Sequence, residues 1–407
     1  MKFPGFVFSL FCVFFGAQPV PLMAMGGKPP AAPSQAVPYQ PQLDLESALV
    51  KSLLEIREDR LDAALKDIEA LLRSYPNFKL AHLIRGDLLL ARAYPLNTIG
   101  NAAGATQQQL TDLREEARVR LLRHLEQLPV NRVPKYLVQL QPEQHYAVVV
   151  DTGKSRLYLF RNDNGTPHYV ADYYVSSGKA GAEKMKEGDQ KTPMGVYFVT
   201  ASLPKTQISS FYGSGAFPIS YPNEWDRRQG KDGHGIWLHG VPSDTYSRPP
   251  RASNGCVVLA NPDMDRVGKM LQVGYTPVVI SDRVEWVDAN ELIAERGDLI
   301  DEVESWRRDW ESIDTDKYLR HYSKNFSAPG QNYRTWEEQK RQVNAGKSWV
   351  RVKLSNISIF AYPGADDMMV VSFEQDYGSN NLKNQMKKRQ YWKQENHKWK
   401  IIFEGAV

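Results

Sequence analysis

Residues 146–178 read YAVVVDTGKSRLYLFRNDNGTPHYVADYYVSSG. Short β-branched and aromatic runs, split by Gly, Asn and Asp, read as strands. Asn164-Gly165 is a hairpin turn between SRLYLFRN and HYVADYY, because both residues tolerate the positive φ that a tight turn demands. TPMGVYFVT (192–200) and YTPVVISD (275–282) have the same character. Together they predict a mainly-β domain over about residues 143–282. One helix is expected inside it, where Asn261-Pro262-Asp263 opens PDMDRVGKMLQVG.

Upstream the period is helical. In LDAALKDIEALLRSYPNFKLAHLIRGDLLLARA (61–93), apolar residues recur at three- and four-residue spacing, and Tyr75-Pro76 breaks two amphipathic stretches. The region 43–128 resembles a tetratricopeptide helix pair, with Ala64 and Leu65 on one helix and Ala81, His82, Gly86 and Leu89 on the next. A single such unit cannot bury a core, so the segment is expected to pack on its neighbour. Helical spacer and protein-partner surface are the two readings. Residues 25–42, rich in Pro, Ala and Gln, read as a linker. Residues 1–24 read as a secretory signal: Lys2, an apolar run from Phe3 to Gly16, then Pro19, Pro21 and small residues around Ala24. An uncleaved anchor competes with that reading, but the run is short for a bilayer.

Downstream, ELIAERGDLIDEVESWRRDWESIDTDKYLRHYSKNF (291–326) is a long helical pattern with Trp306 and Trp310 one turn apart, and Tyr318 and Tyr322 likewise. Strand patterns follow at 349–362 and 368–379, and a hairpin turns at Glu395-Asn396. A helix followed by an antiparallel sheet resembles the NTF2-like α+β cone fold, over about residues 298–407. Such folds carry ligand pockets or pair as dimers. The aromatic residues suit either a sugar or peptide pocket or plain core.

Composition bounds the function. At 42% hydrophobic and 24% charged, the 407 residues suffice for two or three cored domains. A net charge of +4 is too small to argue for nucleic acid. Of the 2 cysteines, Cys12 lies in the signal, so Cys256 has no disulfide partner after export. His239, in IWLHG, precedes Cys256, in SNGC, by 256 − 239 = 17 positions. An imidazole beside a thiol takes its proton and later returns it to a leaving amine. Gly240 lets a backbone carbonyl hold the His tautomer, and Gly255 allows close backbone approach. The Gly255 and Cys256 amides then face a developing oxyanion. An inert buried Cys is the alternative that these two residues alone leave open.

KTPMGVY (191–197), IWLHG, and SNGC followed by an apolar strand and Asn-Pro-Asp resemble the L,D-transpeptidase (YkuD) catalytic domain. That resemblance implies Cys256 as nucleophile, His239 as base and the Gly240 carbonyl as orienter of the ring. The implied partner is a peptidoglycan stem peptide, cleaved beside diaminopimelate, with the acyl group passed to an amine or to water. A YkuD-like domain followed by an NTF2-like domain is similar to a subgroup that includes an L,D-carboxypeptidase trimming the terminal D-Ala. Many family members have His before the Gly-Cys pair and Arg two residues after the Cys, where this chain has Asn254 and Val258. Arg248 and Arg251 are candidates to supply the missing charge to substrate carboxylates.

HGIWLHG (234–240) reads as a strand, so the odd offset sets His234 opposite His239, as a structural or rim residue. Trp237 shares the face of His239 and is read as a cleft wall or as core. Ser253 bonds the loop backbone or substrate. No cofactor and no metal are implied, since Asp232, His234, His239 and Cys256 lack a zinc-ligand spacing. The expectation is a multidomain, periplasmic cysteine acyltransferase: an L,D-transpeptidase, alternatively an L,D-carboxypeptidase, alternatively a silent wall-binding scaffold.

Overall fold

The computed structural model describes residues 45–407 apart from 97, 102–103 and 127–131, so the expected signal (1–24) and linker (25–42) lie outside the described residues. Four helices come first: α1 (Leu45–Arg57), α2 (Leu61–Ser74), α3 (Lys79–Leu90) and α4 (Gln107–Leu125). Periodic spacing puts Ala64, Leu65, Ile68 and Leu71 of α2 on one buried stripe. Thr106 and Gln109 close a reciprocal capping box at the start of α4. The helices do not complete their own core. Tyr246 and Ala260 from the following domain are buried among Leu49, Ile68, Phe78 and Ile84. No described helix is long and apolar enough to cross a membrane.

The central domain is built on a five-stranded sheet in the order Thr166–Tyr174, Arg156–Asp163, Tyr146–Asp151, Pro277–Ser281, Gly195–Phe198. Tyr146–Asp151 and Pro277–Ser281 run parallel, and the other pairs are antiparallel. Asn164 (φ 52°) and Gly165 (φ 92°) make the hairpin turn. Both faces are covered, which is why YAVVVD is continuously apolar rather than alternating. Val148, Val150, Leu157, Leu159, Val278 and Ile280 pack toward a second, four-stranded sheet and the helix Asn261–Gly268. Ala147, Val149, Tyr158, Phe160 and Val279 face the C-terminal domain.

That domain opens with the helix Ala289–Glu311 and carries a seven-stranded sheet. Its long strands Val350–Ala361, Met368–Ser379, Lys383–Glu395 and Lys398–Ala406 form consecutive antiparallel pairs. The edge strand is borrowed: Leu137–Gln139, which precedes the central domain in the chain, pairs with Ile359 and Phe360. Arg132–Pro134 pairs with Trp286–Asp288 on the way out of the central domain. The two domains therefore share one core, with Phe198 and Phe360 rings 6.0 Å apart. Glu224 reinforces the seam, 3.1 Å from both Arg389 and the Tyr391 hydroxyl. Trp306, Trp310, Tyr318 and Tyr322 are all buried, so the aromatic run of this domain is core.

Candidate active site

The strand Trp237–His239 runs parallel to Val257–Val258 in the register Leu238 to Val257 and His239 to Val258. Parallel pairing sets Cys256, one residue before its strand, level with Trp237 and beside the segment that ends at the imidazole. The thiol donates to the Gly235 carbonyl at 3.4 Å. Cys256 is a free cysteine of intermediate exposure, whereas His239 is 1% exposed.

The turn before the nucleophile is held from three sides. The Ser253 hydroxyl donates to the Cys256 carbonyl at 2.6 Å and accepts the Gly255 amide at 3.0 Å. Thr192 donates its hydroxyl to the Gly255 carbonyl at 3.0 Å. Gly255 has φ 128°, and a Cβ there would lie 2.7 Å from the Lys191 carbonyl oxygen. Glycine is thus required by backbone approach and conformation. One expectation is corrected: the Gly255 amide is spent on Ser253 and does not point to an oxyanion. The short hydroxyl side chain reaches its own turn first.

His239 Nδ1 lies 2.6 Å from the Gly240 carbonyl oxygen. A proton on Nδ1 serves that bond and leaves the Nε2 lone pair as the basic position. Asn261 builds the turn that presents this carbonyl. Its Oδ1 accepts from the amides of Ser214 (3.0 Å) and Val241 (3.1 Å), and its amide donates to the Val241 carbonyl at 2.8 Å. Sequence reading took Asn261 only for a helix start. The helix cap is Ala260, which leaves the Asn261 side chain for the loop. The Tyr212 ring stands edge-on to His239 at 5.0 Å and lies 4.6 Å from Trp237, while Phe211 is 6.1 Å from the imidazole. Trp237 is half-buried in this wall.

Burial pushes the Cys256 thiol up, against the lowering effects of the Trp237 amide and the charges of Arg248 and Lys184. Burial pushes the His239 imidazole down to about 4, opposed by the Gly240 hydrogen bond and assisted by Arg248. The resting pair at neutral pH is therefore thiol and neutral imidazole. Lys184, buried and bound to Asp189 at 2.8 Å, was missed in the sequence because it sits 256 − 184 = 72 positions from the cysteine.

The remaining candidates separate. Arg248 reaches the site, with its guanidinium 4.6 Å above the Phe211 ring. Arg251 does not: it lies with Glu115 and Arg118 of α4, and its charge acts on Glu115. Its strand points it away from the cysteine toward the helices, which corrects its expected substrate role. For His234 only the strand placement is corrected. The strand covers only Trp237–His239, and glycines with positive φ at 233 and 235 make the preceding stretch a loop. His234 is exposed there, 3.5 Å from Glu187. Asn254 is exposed. Val258, where many relatives carry Arg, is buried and exchanges backbone hydrogen bonds with Ser176. Among the described residues no group of three or more His, Cys, Asp or Glu is placed to hold a metal ion.

A covered β sandwich presenting Cys and His from adjacent parallel strands defines a cysteine-nucleophile domain of the L,D-transpeptidase class. The YkuD family, described as the L,D-transpeptidase catalytic domain, matches residues 145–280, and the Cds6 C-terminal NTF2-like domain matches residues 298–405. The structure of Bdellovibrio bacteriovorus Bd1075 is similar at 32% identity and TM-score 0.59, over 68% of this chain and 98% of that one. The Campylobacter jejuni helical cell shape determining protein Pgp2 is similar at 26% identity and TM-score 0.57, over 66% of this chain and 95% of that one. No curated protein matches the chain. The chain belongs to the L,D-transpeptidase (YkuD) family, in the group that carries a Cds6-type NTF2-like C-terminal domain.

Proposed function

We propose that this chain is a peptidoglycan-modifying cysteine acyltransferase acting on stem tetrapeptides at diaminopimelate. The observation that carries the reading is the His239–Gly240 hydrogen bond next to a half-exposed Cys256 that leads into the adjoining strand. Nε2 of His239 takes the thiol proton as sulfur attacks the carbonyl carbon of the diaminopimelate–D-Ala bond. The carbonyl oxygen becomes an oxyanion. When the C–N bond breaks, the imidazolium returns its proton to the departing D-Ala amine, leaving a thioester on Cys256. In the second half His239 deprotonates the acceptor, whose attack restores the thiol. An amine acceptor gives a 3→3 cross-link or D-amino-acid exchange.

A second reading has water as acceptor, trimming tetrapeptide to tripeptide. The near-complete burial of His239 behind Phe211, Tyr212 and Trp237 favours a small acceptor and keeps this reading in play. The substrate puts either reaction in the periplasm, with residues 1–24 as the export signal. The helical region and the NTF2-like domain serve in both readings as surfaces for a protein partner or a second copy.

The test incubates the protein and its Cys256→Ala variant with disaccharide-tetrapeptide and reads products by mass spectrometry. Cys256-dependent 3→3 dimer, or exchange with an added D-amino acid, establishes transpeptidation. Cys256-dependent tripeptide alone establishes carboxypeptidation. No product from monomeric or cross-linked substrate under reducing conditions would return the protein to the scaffold class.

A further inference from the structure

The loop from Val241 to Pro250 carries Arg248 into the cysteine cleft. The central domain holds its two ends, through Asn261 at Val241 and Ser177 at Pro250, and the helical region holds the stretch from Ser243 to Ser247. Asn77, between α2 and α3, donates to the Ser243 carbonyl at 2.9 Å and accepts the Tyr246 amide at 3.3 Å. The Tyr246 ring packs 4.9 Å from both Tyr75 and Phe78. Ser247 donates its hydroxyl to Glu116 of α4 at 2.7 Å. Tyr174 of the central sheet completes the set, donating to the Arg248 carbonyl at 2.8 Å. These fixings hold the chain from Ser243 to Arg248 before any substrate arrives.

The side chain is left unspent. Arg248 is half-buried and stacked on Phe211, yet its guanidinium makes no ion pair with a carboxylate among the described residues. Contrast Arg120, Arg123, Arg307 and Arg389, each of which is paired with Asp or Glu. A planar guanidinium held by a rigid loop beside a nucleophile, with its fork of donors open, is built to receive a carboxylate. Val258 cannot serve, because it is buried in the sheet.

We propose that Arg248 is the specificity residue that receives a carboxylate of the donor peptide, and that the helical region is the element that positions it. The proposal rests on the stem-peptide reading above and adds the source of its charge recognition. A tetrapeptide offers two such carboxylates near the scissile bond, on the diaminopimelate side chain and at the D-Ala terminus. Either would be drawn to the same fork, and the guanidinium would hold the donor while sulfur attacks.

The experiment measures kcat and KM of the full chain and of Arg248→Ala, Arg248→Lys and Ser247→Ala. Each is assayed on three donors: the free tetrapeptide, the form amidated at the diaminopimelate side chain, and the form amidated at D-Ala. Losing a charge-assisted hydrogen bond to a carboxylate is expected to lower kcat/KM of Arg248→Ala on free tetrapeptide by about 10- to 100-fold. Arg248→Lys recovers part of this, and Ser247→Ala shows a smaller loss of the same kind. The decisive readout is the interaction between variant and donor: for one amidated donor, parent chain and Arg248→Ala become equal within about twofold. Which donor it is identifies the carboxylate. Iodoacetamide alkylation of Cys256 in each variant reports an intact site without using substrate. If Arg248→Ala loses the same factor on all three donors, or nothing on any, the proposal is overturned while the catalytic reading stands. If the parent chain turns over none of them, the stem-peptide reading falls first.

Discussion

His239 points its Nδ1 at the carbonyl of its own neighbour, Gly240, at 2.6 Å. Among the described residues no carboxylate is bonded to the imidazole, so the orienting group is a backbone dipole that carries no net charge. A neutral orienter cannot stabilise imidazolium as an aspartate would, and burial then dominates, holding the ring at about 4. The consequences for pH and stability can be measured.

Cys256 is expected to rest as a thiol. Its iodoacetamide rate should climb about tenfold per pH unit between pH 7 and 9, with no plateau near neutrality, because only thiolate reacts and burial raises the group. A pH–rate profile by mass spectrometry checks this. A flat rate from pH 5 to 7 would show a preformed ion pair and sink the idea.

His239 also couples stability to pH. Its folded value of about 4 lies below the ordinary 6.5, so folding favours the neutral ring. The contribution is complete above pH 6.5 and is lost as pH falls from 6.5 toward 4. Urea unfolding at pH 7.5 and 4.5 should show the parent chain losing roughly 2–3 kcal/mol more than His239→Gln, which does not titrate. Equal losses would mean that the ring is not buried neutral.

Gly255→Ala should fail twice over. Its φ of 128° is foreign to alanine, and the new Cβ would meet the Lys191 carbonyl at 2.7 Å. A stability loss of about 1–3 kcal/mol is expected. Displacing the nucleophile should cost roughly 100-fold in kcat/KM. Thermal unfolding and peptide turnover measure the two. Full activity in a destabilised variant would separate the turn from the chemistry.

Arg120 of α4 is buried between Glu46 and Glu116, with its guanidinium 3.8 Å over the Tyr174 ring. Arg120→Met strands two carboxylates and should destabilise the chain by about 3–5 kcal/mol. Adding Glu116→Gln should return part of that. Denaturant titration of the single and double variants tests the coupling, and additive losses would deny that the network acts as a unit.

Much of this was legible along the chain. The runs from Tyr146 to Tyr174 announced strands, Asn164-Gly165 announced their turn, and the stripe on α2 announced a buried face, because these depend on neighbours one to four positions away. His239, Gly240, Gly255 and Cys256 could be named as a candidate set because IWLHG and SNGC resemble the L,D-transpeptidase motifs; their spacing alone left an inert cysteine open.

Register, burial and charge environment were decided elsewhere. Only the parallel pairing of Leu238 with Val257 sets Cys256 level with Trp237. Only packing against α4 turns Arg251 away and leaves Arg248 in the cleft. Leu137–Gln139 joins a sheet whose other long strands begin more than two hundred residues later, a choice that no local pattern encodes. Local propensity acts through the backbone of a few residues, whereas these outcomes depend on which surfaces exclude water together. By itself the sequence determined most of the strands and helices and which residues have reactive chemistry. The helical pattern of 291–326, however, ends at Glu311 and gives way to the short helix Thr315–Leu319 and the strand Tyr322–Ala328. The tertiary structure decided which of those residues meet, because side chains separated by scores of positions come within reach only when the sheets and helices that carry them are packed.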